Sequence, residues 1–457
     1  MKLAYEVNDK PKFSKLIVFA LQQLLAILAA TIAVPAIVGH GMSQSAALFG
    51  AGVGTIVYLL FTKFKSPVFV GSSFAFLGSM AAAFAGGVSM SVGYLGLIIG
   101  AVFAGLVYVI IALLVKKFGV AWIGKLMPPV VIGPTVAIIG LSLAGNAVGD
   151  ATSAAKNANG AFIMDLHAIL CLVCALVTLG TVIFCSVFGK KMMKLIPFII
   201  GILAGYVVAT LFTVIGLVAD SDAFKIIDFS KFNNMQWYPD FTFIKAFSGD
   251  YNFAGGNFGT YIATIAVAYV PVAFVVFAEH IADHTNLSSV IGHNLLEDPG
   301  LGNTLLGDGV GSMVGAFFGG CPNTTYGESV GCVAITGNAS VVTILGTAVM
   351  AIVASFLAPF VTFLATIPSC VMGGVCITLY GFIAVSGLKM IQKVDLGDNR
   401  NLFVTAVILI TGVGGMALAF GKITLTAVAC ALILGIFTNL FVNRKKGEAA
   451  EESSDEQ

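Results

Sequence analysis

Charged residues are scarce in this sequence. Asp, Glu, Lys and Arg make up 10% of its 457 residues, against about 25% in a typical soluble protein. Hydrophobic residues make up 58% of the chain, a balance that excludes a soluble globule of ordinary composition. The formal net charge is only +1, which argues against a nucleic-acid partner, because such proteins present a strongly basic surface.

The sequence also lacks the motifs that mark an enzyme. It contains no cluster of metal ligands, no glycine-rich nucleotide loop and no nucleophile–base pair, so we expect no catalysis, no metal and no cofactor. The eight cysteines lie mostly in apolar runs, and Cys171-x-x-Cys174 has no further ligand nearby. We interpret these thiols as packing groups. No cleavable signal peptide is expected, because residues 1–15 are mixed and polar and many apolar runs follow.

Long apolar runs recur along the whole chain. A helix of about 20 apolar residues crosses the roughly 30 Å hydrocarbon core of a bilayer. The runs and the polar breaks between them predict an all-α polytopic membrane protein with fourteen transmembrane segments. The predicted spans begin near residues 16, 45, 68, 91, 129, 165, 195, 260, 302, 323, 341, 368, 401 and 422. The 53 glycines favour a transporter over a simple anchor, because glycine lets membrane helices pack closely and break.

The basic residues predict the orientation of these spans. If the N-terminus is cytoplasmic, all but five of the 23 Lys and Arg residues fall in cytoplasmic segments, as the positive-inside rule requires. The five on the opposite side are Lys156, Lys225, Lys231, Lys245 and Lys422. We therefore predict a multi-pass protein of the inner (cytoplasmic) membrane, surrounded by the lipid bilayer, with both termini in the cytoplasm.

Two predicted spans, the third and the tenth, are too short or too interrupted for ordinary transmembrane helices. They cover residues 68–86 and 323–338, are rich in Gly, Ser and Thr, and each follows a proline. Each is the third span in a set of seven, and seven spans reverse the orientation of the chain. The sequence therefore predicts two inverted seven-span repeats with short strand pieces in spans 3 and 10. Broken helices of such repeats meet near the membrane midplane and form the substrate site.

Four acidic residues fall inside predicted spans, where a charge costs roughly 2.5–3.5 kcal/mol and indicates a functional site by default. They are Glu279, Asp283, Asp308 and Glu328. Glu279 in span 8 and Glu328 in the broken span 10 lie where the repeat places the substrate site. A carboxylic acid removed from water favours its protonated form, and an ionised one accepts N–H groups of a ligand. For Asp283 and Asp308, a solvated or structural role is as plausible as a functional one.

Polar backbone and an aromatic ring accompany these acids. The residues before Glu328 alternate as an extended strand does, and extended backbone in a membrane is tolerated only when buried in protein or facing a polar cavity. Such open amides can bind a planar polar ligand. The helix that follows would direct its N-terminal dipole at the same cavity. In span 3, Ser73 and Phe74 form the counterpart, with Phe74 able to stack on a flat ring or to pack as a core side chain.

Histidines follow Glu279 on the same predicted helix. His280 follows Glu279 directly, and His284 lies five residues after Glu279. Either histidine could take part directly, or could serve only in hydrogen bonding at the end of the helix.

Several strings of residues form an ordered pattern over nearly the whole chain. They are Gln22-Gln23-Leu24-Leu25-Ala26 with Val34-Pro35, Gly71-Ser72-Ser73-Phe74-Ala75-Phe76, Ala278-Glu279-His280, Asp298-Pro299-Gly300-Leu301 and Pro322-Asn323-Thr324-Thr325-Tyr326-Gly327-Glu328. This pattern resembles the nucleobase–ascorbate transporter family, and within it the bacterial uracil permeases. The last string is the most specific, since relatives that carry purines more often have Gln at the position of Glu328 and lack Tyr326.

The resemblance implies a core domain and a gate domain. The core comprises residues 1–117 with spans 1–4 and residues 259–364 with spans 8–11. The gate comprises residues 118–219 with spans 5–7 and residues 365–443 with spans 12–14, and is often used for homodimerisation. Between and after these parts, residues 220–258 are expected to form an external loop and residues 444–457 a disordered cytoplasmic tail.

The resemblance also implies proton-coupled import of uracil by alternating access, with xanthine or another purine as the alternative substrate. By motif position, Glu279 and Glu328 would be the substrate-binding carboxylates. The further expected substrate-binding residues are Ser73, Phe74, Tyr326, Gly327 and Tyr380, of which Phe74 and Gly327 would offer backbone amides and Tyr380 would face the core from the gate. A channel would instead need rings of one residue type along a continuous pore.

The chain departs from the family pattern near the expected site. Ser329 stands where the signature usually has Asn, and Gly337 stands where it often has Arg. Asp283 occupies the position, four residues after Glu279, at which uracil-carrying relatives can have His. Proton coupling is therefore expected to involve Glu279 together with either Asp283 or His284.

Overall fold

The computed structural model describes residues 3–455 except 120, 191, 255, 421 and 422, and most of them are helical. Lys422, the predicted start of span 14, lies outside the described residues. Within this part, eight helices are long and apolar enough to cross a membrane, or nine if one bent pair counts as a single span. The prediction of a polytopic helical membrane protein is confirmed. The larger count of fourteen spans stays a prediction.

The first half of the chain contains ten helices and one strand in its described residues. They are α1 (Phe13–Val38), α2 (Gln44–Phe61), β1 (Val70–Ser72), α3 (Leu77–Ala83), α4 (Met90–Phe118), α5 (Ala121–Leu126), α6 (Pro129–Ser142), α7 (Ala144–Thr152), α8 (Leu166–Phe188), α9 (Met192–Leu195) and α10 (Pro197–Val218). A 3-10 turn, Phe74–Phe76, joins β1 to α3. Span 3 is therefore a strand followed by a short helix, as its glycines and serines predict.

The second half follows a connecting segment that includes α11 (Thr242–Phe247). Its elements are α12 (Phe258–Ile291), α13 (Leu301–Gly319), β2 (Asn323–Thr325), α14 (Gly327–Thr336), α15 (Val341–Ser355), α16 (Ala358–Thr366), α17 (Ser369–Ile391), α18 (Asn399–Val413), β3 (Leu418–Phe420), β4 (Ile423–Leu425) and α19 (Ala427–Asp455). Helices α15 and α16 form the bent pair, with 83° between them. Span 10 is again a strand followed by a short helix.

Polar side chains fix several helix starts. Asp165 accepts a hydrogen bond from the backbone N–H of Ala168 at 2.8 Å and so caps α8. Asn257 and Thr260 form a reciprocal capping box at the start of α12. These caps satisfy amides that have no partner inside the helix, which stabilises a helix end by roughly 1 kcal/mol.

Helices α2 and α13 approach each other along small residues. The glycines that make this contact recur every fourth position and lie on one face of each helix; they are Gly50 and Gly54 in α2 and Gly307, Gly311, Gly315 and Gly319 in α13. A methyl group added at Gly311 would lie 2.8 Å from the carbonyl oxygen of Gly54. Close backbone packing of this kind replaces the hydrophobic effect as the force between membrane helices.

The helices pack in two groups. One group contains α1 to α4 and α12 to α15, and the other contains α6 to α8, α10 and α17 to α19. The two groups follow the order of the expected core and gate domains. The domain bounds themselves stay a prediction.

The connecting segment at residues 220–258 is tied to helix ends. Lys245 donates a hydrogen bond to the carbonyl of Gly41 at 2.7 Å and pairs with Asp240. Its hydrogen bonds to Asp240 and Tyr94 outweigh partial burial and raise the pKa of the Lys245 amine. The ammonium charge is therefore kept at neutral pH and holds the segment against α2 and α4.

The expected disordered tail at residues 444–457 stays a prediction. Helix α19 continues to Asp455, so residues 444–455 have helical backbone, and residues 456 and 457 lie outside the described part. This segment is rich in Ala, Glu and Lys, which are strong helix formers, although its acidic and polar composition suggested disorder.

The glycine contact between α2 and α13 is testable. Gly311→Ala should destabilise the protein by about 1–3 kcal/mol, because the added methyl group meets backbone that cannot move away easily. Gly180→Ala is the matched control, since a methyl group there meets no atom within 4 Å. Thermal unfolding of both variants in detergent measures the effect. Equal melting temperatures for the two variants would contradict the close contact.

Candidate functional site

The two short strands pair with each other inside the fold. β1 and β2 run antiparallel, with Val70 opposite Thr325, Gly71 opposite Thr324 and Ser72 opposite Asn323. The Ser73 amide donates to the carbonyl of Pro322 at 2.9 Å, which extends the pairing by one hydrogen bond. The predicted strand pieces in spans 3 and 10 are confirmed. Pairing satisfies backbone groups that would otherwise be costly in a membrane.

Each strand leads into the N-terminus of a short helix. Phe74 begins the turn that enters α3, and Gly327 is the first residue of α14. The first amides of a helix have no partner within it and carry the positive end of the helix dipole. The structure thus directs two helix N-termini at one region, and Gly327 is exposed there.

A cavity of about 410 Å³ lies at this meeting point and is called the site cavity below. Most expected site residues line it, namely Ser73, Phe74, Glu279, Asp283, Tyr326, Gly327 and Glu328. Further lining residues come from other helices and include Ala26, Val136, Ile139, Lys194, Asn286 and Met390. The cavity volume lies within the roughly 300–1,000 Å³ range of small-molecule sites.

Tyr380 and His284 lie outside this lining. The Tyr380 ring contacts Phe74 edge-on, with ring centroids 5.5 Å apart, so it supports the cavity wall from behind. His284 Nδ1 donates to the carbonyl of His280 at 2.8 Å, and its Nε2 lies 2.6 Å from the Tyr58 hydroxyl. Tyr58 in turn donates to Ser66 at 2.7 Å. The imidazole of His284 is therefore engaged on both nitrogens away from the cavity.

The Tyr326 side chain is held rigidly. Its hydroxyl donates to the carbonyl of Ser72 at 2.9 Å and lies 3.4 Å from the Thr31 hydroxyl. Its ring packs on Gly71, where an added methyl group would lie 2.6 Å from the ring. Tyr326 thus fixes β2 to β1 and forms a fixed wall of the site cavity.

Ser329 faces away from the cavity. Its hydroxyl accepts hydrogen bonds from Gln23 Nε2 at 2.5 Å and from the Phe69 amide at 3.0 Å. These contacts tie α14 to α1 and to the start of β1. The serine that departs from the family pattern therefore acts in packing and leaves its neighbour Glu328 free to face the cavity.

The four buried acids have different surroundings. Asp283 accepts a hydrogen bond from the Thr325 hydroxyl at 2.9 Å. Asp308 is fully buried, and its Oδ2 lies 2.7 Å from His280 Nδ1. Glu279 and Glu328 are partly buried and border the cavity. Two carboxyl groups are thus available to a ligand, whereas Asp308 is paired within the protein.

Several polar partners could not be identified in the sequence. Thr304, 3.0 Å from His280 Nε2, and Tyr58, Ser66 and Thr325 are common hydroxyl residues in apolar or loop segments. Only the tertiary packing places them beside the acids and histidines of α12. Among the described residues, no group of three or more His, Cys, Asp or Glu side chains is arranged to hold a metal ion.

Comparison with known sequences gives full-length relatives. The Permease family profile matches residues 14–420. The uracil permease of Bacillus caldolyticus is 39% identical, covering 100% of this chain and 98% of its own length. The uracil permease of Bacillus subtilis (strain 168) is 38% identical, covering 99% of this chain and 98% of its own. That of Escherichia coli (strain K12) is 33% identical, over 96% of this chain and 93% of its own.

Solved structures share the fold at low sequence identity. The transmembrane domain of the cyanobacterium bicarbonate transporter BicA superposes with a TM-score of 0.59 at 14% identity, covering 95% of this chain and 100% of that chain. Murine Slc26a9, an anion transporter in the inward-facing state, gives a TM-score of 0.61 at 11% identity, covering 96% of this chain and 69% of that one. These likenesses concern the fold alone.

The pairing of His280 with Asp308 is open to a stability test. His280→Ala should lower the free energy of unfolding by about 3–5 kcal/mol, because it leaves a buried carboxyl group without its partner. The double variant His280→Leu/Asp308→Leu should be less destabilised than His280→Ala, since it removes both polar groups. Thermal unfolding in detergent compares the variants. His293→Ala is the control, because the His293 side chain is 49% exposed; a His280→Ala protein as stable as this control would contradict the pairing.

Proposed function

This chain belongs to the permease family of nucleobase–ascorbate transporters, and from that premise we propose that it imports uracil in symport with protons. The resemblance found in the sequence is thereby confirmed, and the chain is a multi-pass membrane permease and not an enzyme. Uracil as substrate is supported by full-length relatives that are named uracil permeases. The proposed location is the cytoplasmic membrane, with both termini in the cytoplasm.

The observation that carries this proposal is the position of Glu328 and Gly327 at one helix N-terminus in the site cavity. Uracil presents two N–H donors and two carbonyl acceptors around a small planar ring. A carboxylate only accepts hydrogen bonds, so Glu328 complements a ring N–H, and the Gly327 amide complements an adjacent carbonyl. Glu279 on α12 would likewise accept a hydrogen bond from a ring N–H, and the backbone amide of Phe74 in span 3 would donate to a ring carbonyl. Ser73 lies beside Phe74.

The walls of the cavity favour a single ring over a bicyclic purine. Tyr326 is fixed by its bond to Ser72 and its packing on Gly71, so it cannot swing away to enlarge the site. Phe74 is buried and backed by Tyr380, which lets its ring stack on a flat ligand. Both aromatic groups thus limit the space available beyond a pyrimidine.

For proton coupling we assign Glu279 and Asp283. Both carboxyl groups lie on α12, four residues apart and hence on one helix face, and both line the site cavity. His284 is the weaker of the two relay candidates, because its nitrogens are engaged by the His280 carbonyl and by Tyr58. A proton taken up by these acids would neutralise charge in the site and favour the reorientation of the loaded transporter.

The packing supports alternating access between a core and a gate. Acids of the site lie on helices of the first group, whereas Val136, Ile139 and Tyr380 belong to the second. Movement of one group against the other would expose the site to each side in turn. We propose fourteen spans in two inverted repeats for this arrangement, and a homodimer formed through the gate.

The first functional test concerns Glu328. Glu328→Gln should weaken uracil binding at least about ten-fold, because the amide places a donor opposite the ring N–H while the adjacent carbonyl is already bound by the Gly327 amide, and an unpaired buried donor costs roughly 1–3 kcal/mol. Calorimetry on the detergent-purified protein measures binding without proton coupling. The exposed Glu297→Gln is the matched control and should bind as the parent does.

A competition assay on the same purified protein decides the substrate. Uracil should displace bound radiolabelled uracil more effectively than xanthine does. Stronger displacement by xanthine, or normal uracil binding by Glu328→Gln, would overturn the pyrimidine assignment and favour a purine permease.

The second functional test concerns Glu279. Uptake of uracil by the parent should rise as the external pH falls, because lower pH supplies the coupled proton. Glu279→Gln cannot release a proton and should lose accumulation against a gradient while reaching the same membrane abundance. Uptake into proteoliposomes with an imposed pH gradient measures this, with Glu297→Gln as control. Concentrative uptake by Glu279→Gln would remove this residue from the coupling mechanism.

A further inference from the structure

A second cavity, of about 300 Å³, lies on the far side of the site residues. It reaches Gly78, Ala81 and Asn146, whereas the site cavity reaches Lys194 and Met390. Under the proposed topology the Lys194 side is cytoplasmic and the Asn146 side is external. The two cavities have three lining residues in common, Phe74, Ala75 and Ile139.

Helix α6 runs along both cavities with one face. Val136, Ile139 and Leu143 are spaced by three and four residues, so their side chains follow each other on that face. Val136 lines the site cavity, Ile139 lines both cavities and Leu143 lines the second. Ile139 therefore occupies the boundary on the gate side.

The opposite wall shows the same order along span 3. Ser73 lines the site cavity, Phe74 and Ala75 line both, and Leu77 and Gly78 line the second cavity. Phe74 is 8% exposed and Ile139 is 4% exposed, so little solvent reaches either side chain. The residues shared by the two cavities are thus all apolar, with Phe74 and Ala75 from the first helix group and Ile139 from the second.

We propose that Ile139 and Phe74 form a hydrophobic seal that closes the site on its external side. The inference rests on the proposed function, because a transporter must keep its site closed on one side while it is open on the other. A narrow apolar constriction excludes water and ions by dewetting. When the core and gate move apart at this boundary, the second cavity becomes the external entrance to the site. Ile139 is then a gating residue that does not itself bind the ligand.

An accessibility experiment tests the seal without any transport assay. Val136→Cys and Leu143→Cys are treated with a membrane-impermeant thiol reagent from the external side, in right-side-out vesicles that contain the full chain. Leu143→Cys should be labelled rapidly, and Val136→Cys only slowly, as the transporter opens to the external side. Adding Ile139→Ala should make Val136→Cys label as fast as Leu143→Cys, whereas adding Ile139→Leu should keep its labelling slow. The unmodified protein, whose described cysteines are buried, gives the background.

A transport experiment then tests the consequence. Ile139→Ala should accumulate uracil only toward equal concentrations on both sides, because the site leaks. Leu143→Ala lies on the same helix face outside the seal and should accumulate normally. Ile139→Val should give an intermediate loss, which keeps the test valid if Ile139→Ala folds poorly.

The outcomes separate this inference from the proposed function. Slow labelling of Val136→Cys in the Ile139→Ala background, with accumulation equal to the parent, would overturn the seal. A parent that neither binds nor accumulates uracil would overturn the proposed function, while the labelling pattern would still decide whether Ile139 closes the external side.

Discussion

The need to satisfy backbone hydrogen bonds away from water governs this structure. A strand inside a membrane is tolerated only with a partner, and β1 finds it in β2, which lies about 250 residues later in the chain. Their pairing brings spans 3 and 10 together and fixes where each short helix begins. The first amides of these short helices have no partner within the helix, and Phe74 and Gly327 at the two starts line the site cavity. The same constraint that makes the fold possible therefore places backbone donors at the candidate site.

The four acidic residues near the site have two kinds of surroundings. Asp308 is buried and pairs with His280. Asp283 accepts a hydrogen bond from the Thr325 hydroxyl although it borders the cavity. Glu279 and Glu328 have no such arrangement with a basic side chain among the described residues and border an open space. The difference follows from burial, because Asp308 on α13 is fully buried and does not line the site cavity, whereas the two glutamates do. The carboxyl groups of the two glutamates would therefore be solvated by water or by a ligand in the cavity.

Much of this could be predicted from local sequence. Proline, glycine and serine in residues 68–86 and 323–338 predicted broken spans with strand pieces, and apolar surroundings identified Glu279 and Glu328 as site candidates. The pairing of β1 with β2 depends on contacts between distant spans, and so does the position of the hydroxyl groups beside the histidines. Such contacts leave no local pattern in the sequence. The edge-on contact of Tyr380 with Phe74 is another contact between distant spans, and the expected role of Tyr380 at the site stays a prediction.

Ser329 shows how a departure from the family pattern can leave the site intact. Its position in α14 directs the hydroxyl backwards, where Gln23 and the Phe69 amide both donate to it. Because neighbouring helix residues point about 100° apart, holding Ser329 against α1 and β1 turns Glu328 toward the cavity. An asparagine side chain at this position would have to accept hydrogen bonds from the same two donors through its carbonyl oxygen alone. The hydroxyl of serine accepts both hydrogen bonds and occupies less space. The substitution therefore changes how span 10 is anchored, while the groups that a ligand would meet stay the same.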